Sequence, residues 1–209
     1  MQDRGTFGDL LTVGATILAA YPIAVERGWI GREDAAERVR DTLRVFAGDI
    51  AEPDGGIMGP EPIGQIGYRG FFYHFLNVDG KRKLNFDFPE TPDDEGLNTV
   101  ELSLIDTTLF VAGAIPVAKY FNQTTPVEAE IRSLVSYIWG RVDWPFMLVE
   151  VEPGVQQFYL GWKPIEERSD VPPFRIPDAD GLGHYSGTPD NPATLDFYTD
   201  EAVLATLLA

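Results

Sequence analysis

Two acidic residues, Glu101 and Asp106, open an otherwise apolar run that continues to Phe121. A carboxylate in apolar surroundings is strongly unfavourable unless it is paired, hydrogen-bonded or open to a water-filled cleft. Paired carboxyl groups are also what enzymes use for general acid and general base catalysis. Asp106 is therefore predicted to be either a hydrogen-bonded structural acid or part of a site.

The segment that carries the two acids has the apolar periodicity of a helix buried on nearly all sides. Its apolar positions cover both faces: Leu102, Leu104, Ile105, Leu109, Val111, Ala112 and Ile115. Asn98-x-x-Glu101 fits a capping box, with Asn98 as N-cap and Glu101 at the third helical position. Capping alone would explain Glu101. Pro116 is expected to kink or break the helix.

Other helices and strands are predicted from caps, turn residues and periodicity. Helices are expected over residues 14–27, 32–48 and 126–141, with a last one starting near Thr199 and running to the end. The helix over 32–48 should bury one stripe of apolar residues, Ala35, Val39, Leu43 and Phe46. Thr125-x-x-Glu128 fits a capping box at the start of the helix over 126–141. The first two should form a helical hairpin, with Gly28 as C-cap. A strand over 71–76 should turn back at 77–80, and a second hairpin should use 146–151 and 156–159. The long loops over 49–69 and 161–192 are rich in Gly and Pro and are candidates for function.

Composition excludes several classes of function. The 16 basic and 33 acidic residues give a net charge of −17, which argues against nucleic acid and anionic membranes as partners. The chain has no cysteine and two histidines, His74 and His184, on unrelated segments, so a zinc site is not expected. Asp178-Ala179-Asp180-Gly181 resembles part of a calcium loop but lacks the remaining ligands. No metal or organic cofactor is predicted.

No stretch has the length of a membrane span. Residues 10–25 come closest, but Thr12, Thr16 and Pro22 interrupt them, so a buried helix is the better interpretation. The same stretch lacks the basic flank of a signal peptide. Either the protein is cytoplasmic or an export signal lay upstream.

Five motifs together resemble the glucoamylase-like ("glycoamylase") family, which includes endo-β-1,2-glucanases and a domain of cyclic β-1,2-glucan synthases. They are Glu-Leu-Ser-Leu-Ile-Asp-Thr-Thr at 101–108, Gly-Phe-Phe-Tyr-His-Phe-Leu at 70–76, Arg-Val-Asp-Trp at 141–144, Gly-Trp-x-Pro at 161–164 and Tyr-Thr-Asp-Glu-Ala at 198–202. Residues 24–30 are also similar to the family's first helical hairpin. These segments are distributed along the whole length of the chain.

The resemblance implies an all-α fold, an (α/α)6 toroid of helical hairpins whose long loops carry short β-hairpins and converge on a substrate cleft. It also implies that residues 1–209 are about the N-terminal half of one such domain. We therefore expect the second catalytic acid beyond Ala209, so that the piece alone should lack full activity. Uncovered apolar faces should make the piece self-associate. The family resemblance suggests a periplasmic or extracellular location.

The resemblance also implies roles for individual residues. Glu201 matches the family's Tyr-x-x-Glu glutamate and would be the general acid, although an acid in a first helical turn also favours the helix dipole. Glu101 and Asp106 would bind sugar or relay protons at the scissile bond. The expected substrate-binding residues are Tyr73, His74, Asp143, Trp144, Trp162 and Tyr198. From the residues alone, His74 reads as a hydrogen-bonded structural histidine, Trp144 as core and Asp143 as a helix terminator.

The expected reaction is endo-acting, inverting hydrolysis of a β-glucan, with β-1,2 as the first linkage. Two alternatives stay open: a transglycosylase that passes β-1,2-glucan chains to a sugar hydroxyl, and a carbohydrate-binding protein that keeps the aromatic cleft without turnover.

Overall fold

Five α-helices make up most of the chain that this computed structural model describes, which comprises residues 10–48, 66–76, 101–159, 161–162 and 199–209. The helices are α1 (Leu10–Glu26), α2 (Arg32–Ala47), α3 (Leu104–Tyr120), α4 (Pro126–Gly140) and α5 (Thr199–Leu208). The strands are β1 (Gly67–Tyr68), β2 (Phe71–Tyr73), β3 (Leu102–Ser103), β4 (Leu148–Glu152), β5 (Val155–Phe158) and β6 (Gly161–Trp162). The described chain is thus mainly helical with small antiparallel sheets.

The first helical hairpin follows its sequence signals. The predicted stripe on α2 is buried: Ala35, Val39, Leu43 and Phe46. Helix α1 starts four residues earlier than predicted, and the chain leaves it through Gly28, whose φ of +69° is the left-handed conformation expected there. Helix α1 packs mainly against α3, α2 packs against α4, and α5 packs against α3.

The start of α4 confirms the predicted N-cap, Thr125, but Glu128 does not close the predicted capping box, because its carboxylate accepts from Gln123 and Arg32 instead. Thr125 is the N-cap and its hydroxyl accepts a hydrogen bond from the Glu128 amide. The Glu128 carboxylate accepts from the guanidinium of Arg32 at 2.8 and 3.0 Å and from the Gln123 amide at 2.6 Å. Since Arg32 also donates to the carbonyl of Tyr120 at the end of α3, this ion pair ties α2, α3 and α4 together.

Replacing Glu128 with glutamine should destabilise the protein by about 2 to 4 kcal/mol at neutral pH. Glu128 is 3% exposed, and its hydrogen bonds with Arg32 lower the pKa of its carboxyl below the ordinary 4.5. A carboxyl with a lowered folded-state pKa stabilises the protein above its unfolded pKa, and that stabilisation disappears as pH falls through the folded value. Urea unfolding at several pH values should therefore show the wild type and E128Q converging below about pH 4.5.

Glu130→Gln is the matched control, because Glu130 also lies on α4 and also pairs with an arginine of α2, Arg44. That pair is far more exposed, at 53% for Arg44 and 34% for Glu130, so water screens it and its loss should matter much less. Equal destabilisation by E128Q and E130Q, or a difference between E128Q and wild type that does not change with pH, would contradict this account.

The four-stranded sheet has the order β1-β2-β3-β6, and all its neighbours are antiparallel. Strands β1 and β2 form a hairpin whose two central residues, Arg69 and Gly70, have φ of +51° and +83°. Positive φ at both positions is the geometry of a type I′ turn. The sequence prediction missed this hairpin and treated residues up to 69 as loop. The turn it predicted at 77–80 lies outside the described residues.

Strand β3 corrects the predicted start of the third helix. Glu101 is not at a helical position, since Leu102 and Ser103 pair with β2 on one side and β6 on the other, and the helix begins at Leu104. The observed N-cap is Ser103, whereas the predicted cap, Asn98, lies outside the described residues. Strand pairing with distant segments keeps Glu101 out of the helix.

Two further predictions concern the second half of the chain. Pro116 does not break α3, which continues to Tyr120. The predicted second hairpin is confirmed by the antiparallel pair β4 and β5, which follows a short 3₁₀-helix at Trp144–Met147. The predicted last helix is confirmed by α5, and most of the predicted loop over 161–192 lies outside the described residues.

The sheet is joined to the helices through aromatic side chains. Phe72 of β2 packs edge-on against Phe46 of α2 and Phe110 of α3, with ring centroids 5.4 and 5.3 Å away. All three are buried. The end of α2 and the start of α3 therefore lie against the strand that leads to His74. Within the described residues, no helix is long and apolar enough to cross a membrane.

Candidate active site

Asp106 is the acid at the third position of α3, and it is only 3% exposed. Its neighbour Ser103 satisfies it in two ways: the Ser103 hydroxyl donates to Asp106 Oδ2 at 2.5 Å and accepts from the Asp106 amide at 3.2 Å. The first turn of a helix also favours a negative charge. These contacts explain how an apolar segment can hold a carboxylate.

His74 lies between the two acids. Its Nδ1 is 2.7 Å from Glu101 Oε1, and its Nε2 is 3.5 Å from Asp106 Oδ2. Counting only the side chains, His74 is 33% exposed, Glu101 is 22% exposed and Asp106 is 5% exposed. The three side chains therefore form a polar cluster that is open to solvent on the His74 side and closed behind Asp106.

Strand pairing brings this cluster together from segments that are distant in sequence. Tyr73 pairs with Leu102, so the next residues outward, His74 and Glu101, face each other. The His74 amide also donates to the Glu101 carbonyl at 2.9 Å. Asp106 joins them because α3 starts directly after β3. The sequence proposed all three residues but not this mutual contact.

The arrangement determines what each group can do. A neutral imidazole donates from one ring nitrogen and accepts at the other, whereas a protonated one donates from both. Ionised carboxylates only accept, so a protonated His74 can contact both acids. When ionised, Glu101 and Asp106 would both act as acceptors for a protonated His74 ring.

Asp143 precedes the 3₁₀-helix after α4 and lies beside the β1–β2 turn, away from the His74 cluster. Its carboxylate accepts from Arg69 at 2.7 Å, and its amide donates to the Arg69 carbonyl at 3.0 Å. Hydrogen bonds with Tyr68 and then Asp143 raise the pKa of Arg69. Asp143 therefore binds the β1–β2 turn through both its side chain and its backbone.

Arg141 lies directly beside Gly70 of the same turn and also binds the end of α2. The Arg141 guanidinium donates to the carbonyls of Phe46 and Ala47 at the end of α2, and burial lowers its pKa. Gly70 lies so close to this segment that an added Cβ would be 2.4 Å from the Arg141 carbonyl oxygen. The 141–144 motif therefore connects α2, α4 and the hairpin that leads to His74.

The predicted aromatic contacts are largely buried. Tyr73 is 0% exposed, Trp144 is 7% and Trp162 is 8%. Trp144 packs edge-on against Phe71, and Trp162 stacks on Tyr68 at 5.2 Å. These positions agree with the alternative reading of Trp144 as core. Tyr73 and Trp162 lie in the four-stranded sheet, and Trp144 lies in the 3₁₀-helix that packs against it.

Glu201 lies in the first turn of α5, and Tyr198 lies outside the described residues. The last turn of α5 is bound to the end of α4 by a hydrogen bond from the Trp139 indole to the Leu208 carbonyl at 3.1 Å. Glu201 is seven residues before Leu208, or about 10 Å along the helix axis. Its role stays a prediction.

In the described ranges, no group of three or more acidic or histidine side chains could hold a metal ion. His184 and the 178–181 segment lie outside those ranges.

Two site residues, Ser103 and Thr107, were missed at the sequence level. Ser103-x-x-Asp106 is itself a cap pattern, with an acid where a capping box has Glu or Gln, and it marks a second possible helix start beside Asn98-x-x-Glu101. Thr107 carries no such signal. Its hydroxyl accepts from the Phe72 amide at 2.9 Å and donates to the Ser103 carbonyl at 2.7 Å.

No family model matches the chain, and no curated protein does either. Solved structures do match. A proposed glucoamylase from Bacteroides uniformis is 19% identical with a TM-score of 0.53, over 78% of this chain and 34% of that one. A β-1,2-glucanase from Parabacteroides distasonis is 22% identical with a TM-score of 0.51, over 76% of this chain and 19% of that one.

An endo-β-1,2-glucanase from Chitinophaga pinensis is 18% identical with a TM-score of 0.51, over 75% of this chain and 30% of that one. The chain thus spans about a fifth to a third of the length of these structures. At this level of identity the similarity concerns the fold. The chain shares its fold with a section of these glucoamylase-like and β-1,2-glucanase structures, as the motifs in its sequence imply.

Proposed function

We propose that this chain is the N-terminal part of an (α/α)6-toroid glycoside hydrolase that cleaves a β-glucan by inversion, with the β-1,2 linkage as the first candidate. The observation that supports it best is the Glu101–His74–Asp106 cluster, which is partly open to solvent in a fold shared with β-1,2-glucanases. No metal or organic cofactor takes part in this proposal.

Inverting hydrolysis uses a protonated carboxyl group for the leaving oxygen and an ionised one for the attacking water. Asp106 Oδ2 accepts from the Ser103 hydroxyl and lies 3.5 Å from His74 Nε2. Glu101 Oε1 lies 2.7 Å from His74 Nδ1, so both carboxyl groups are already engaged by neighbouring side chains. We therefore assign the general acid to Glu201 and the arrangement of hydroxyl groups and water to Glu101, Asp106 and His74. Asp143, which contacts Arg69 of the β1–β2 turn, would bind the substrate beside them.

The test is incubation of the complete open reading frame product with β-1,2-, β-1,3-, β-1,4- and α-1,4-glucans. We expect oligosaccharides from the β-1,2 polymer, and NMR of the first products should show the inverted anomer. Cyclic or lengthened chains would instead indicate a transglycosylase. Binding without turnover would indicate a carbohydrate-binding protein.

Glu201→Gln should lower this turnover by about 100-fold or more, because glutamine has no proton to donate to the leaving oxygen. Asp200→Asn is the control, since it removes a neighbouring acid that would also favour the start of α5 through the helix dipole. Unchanged turnover in E201Q, or an equal loss in D200N, would remove Glu201 from the mechanism.

A further inference from the structure

One hydroxyl group connects the strand that leads to His74 with the helix that carries Asp106. Thr107 is fully buried, and its hydroxyl accepts from the Phe72 amide at 2.9 Å and donates to the Ser103 carbonyl at 2.7 Å. Phe72 and Ser103 face each other in the register of β2 and β3. The Thr107 side chain therefore bridges two strands from a position on α3.

The bridge lies between the two halves of the polar cluster. Phe72 is two residues before His74 on the same extended segment, and Ser103 holds the Asp106 carboxylate through its own hydroxyl. A shift of β2 relative to α3 would change the 3.5 Å separation between His74 Nε2 and Asp106 Oδ2. Only a side chain that both donates and accepts can make this bridge, which a hydroxyl does and a methyl group does not.

We propose that Thr107 is a positioning residue that sets the spacing between His74 and Asp106 by bridging β2 and β3 to the start of α3. Its catalytic consequence rests on the proposed function. The positioning itself concerns only this chain, so it can be measured without any substrate.

The experiment uses ¹⁵N NMR of the imidazole rings, which is practical because the chain has two histidines. In Thr107→Val, which keeps the shape and removes the hydroxyl, we expect the His74 ring signals to move toward those of Asp106→Asn. Thr107→Ser keeps the hydroxyl and should restore the wild-type signals. His184 serves as the internal reference in each spectrum.

Thr108→Val is the matched control. Thr108 is the next residue, is equally buried, and its hydroxyl donates to the Leu104 carbonyl at 2.8 Å within the same helix. Within the described chain it makes no hydrogen bond to the sheet, so its loss should leave the His74 signals unchanged. A T107V spectrum identical to wild type, or an equal change in T108V, would overturn the proposal.

A second measurement needs no variant. The Phe72 amide should exchange with solvent deuterium as slowly as the core amides of α3, and fast exchange there would also overturn the proposal. In the complete open reading frame product on a β-1,2-glucan substrate, T107V should lose about 10-fold or more in kcat with little change in KM, because misplaced groups affect the transition state most. Should the wild type not turn over that glucan, the proposed function fails while the NMR result still decides the positioning.

Discussion

Replacing Asp106 with asparagine should reduce β-1,2-glucan turnover by about 100-fold or more while changing stability much less. Asparagine fills the same space and its oxygen can still accept from Ser103, so the start of α3 should keep its cap. The negative charge beside His74 Nε2, 3.5 Å away, is lost. Without it, the cluster holds hydroxyl groups and water less strongly in the transition state.

The measurement is kcat and KM of the complete open reading frame product on the glucan, together with urea unfolding of the wild type and D106N. Asp34→Asn is the control, because Asp34 occupies the same third position in α2 that Asp106 occupies in α3, but on the exposed surface. Both substitutions remove a charge from a helix start, and only D106N should lose turnover. Full activity in D106N would show that Asp106 is a structural acid.

Replacing Gly70 with alanine should destabilise the protein by about 2 to 4 kcal/mol. The φ of +83° at Gly70 is unfavourable for a residue with a Cβ. The added Cβ would also lie 2.4 Å from the Arg141 carbonyl oxygen and 2.6 Å from Val142 Cα, both of which are backbone atoms. The turn must then move away from the end of α4, and the Asp143 contacts with Arg69 should weaken.

Gly154→Ala separates the two causes, because Gly154 has a φ of +78° and an added Cβ there would have no atom within 4 Å. G154A should therefore destabilise the protein only through its unfavourable φ, by about 1 to 2 kcal/mol. The difference between G70A and G154A in urea unfolding then measures the close approach of the hairpin to α4. Equal values would mean that the 141–144 segment moves aside easily.

Local sequence signals predicted the elements that depend mainly on their own residues. The apolar stripe of α2 and the Thr125 cap of α4 are examples, and both are confirmed. In each case the cap, the turn residue and the periodicity act within a few positions of one another, so they can be read without knowing the fold. The motif resemblance likewise predicted similarity to glucoamylase-like and β-1,2-glucanase proteins, and the solved structures confirm that similarity at the level of the fold.

The start of α3 shows where local signals were ambiguous. Asn98-x-x-Glu101 and Ser103-x-x-Asp106 both have the spacing of a cap, and the sequence offers no way to choose between them. The pairing of β3 with β2 and β6 makes Ser103, not Asn98, the N-cap of α3. Both partner strands are distant along the chain, and each contributes only two or three residues.

The candidate site divides in the same way. Residue types and their order were enough to show which side chains are available: two acids at the start of an apolar helix, and a histidine at the end of an aromatic strand. Only the tertiary structure shows that His74 contacts both acids, that Asp143 binds Arg69 of the β1–β2 turn, and that Thr107 bridges β2 and α3. The reason is that these contacts depend on strand register and helix packing, which arise from many weak interactions between segments distant in sequence.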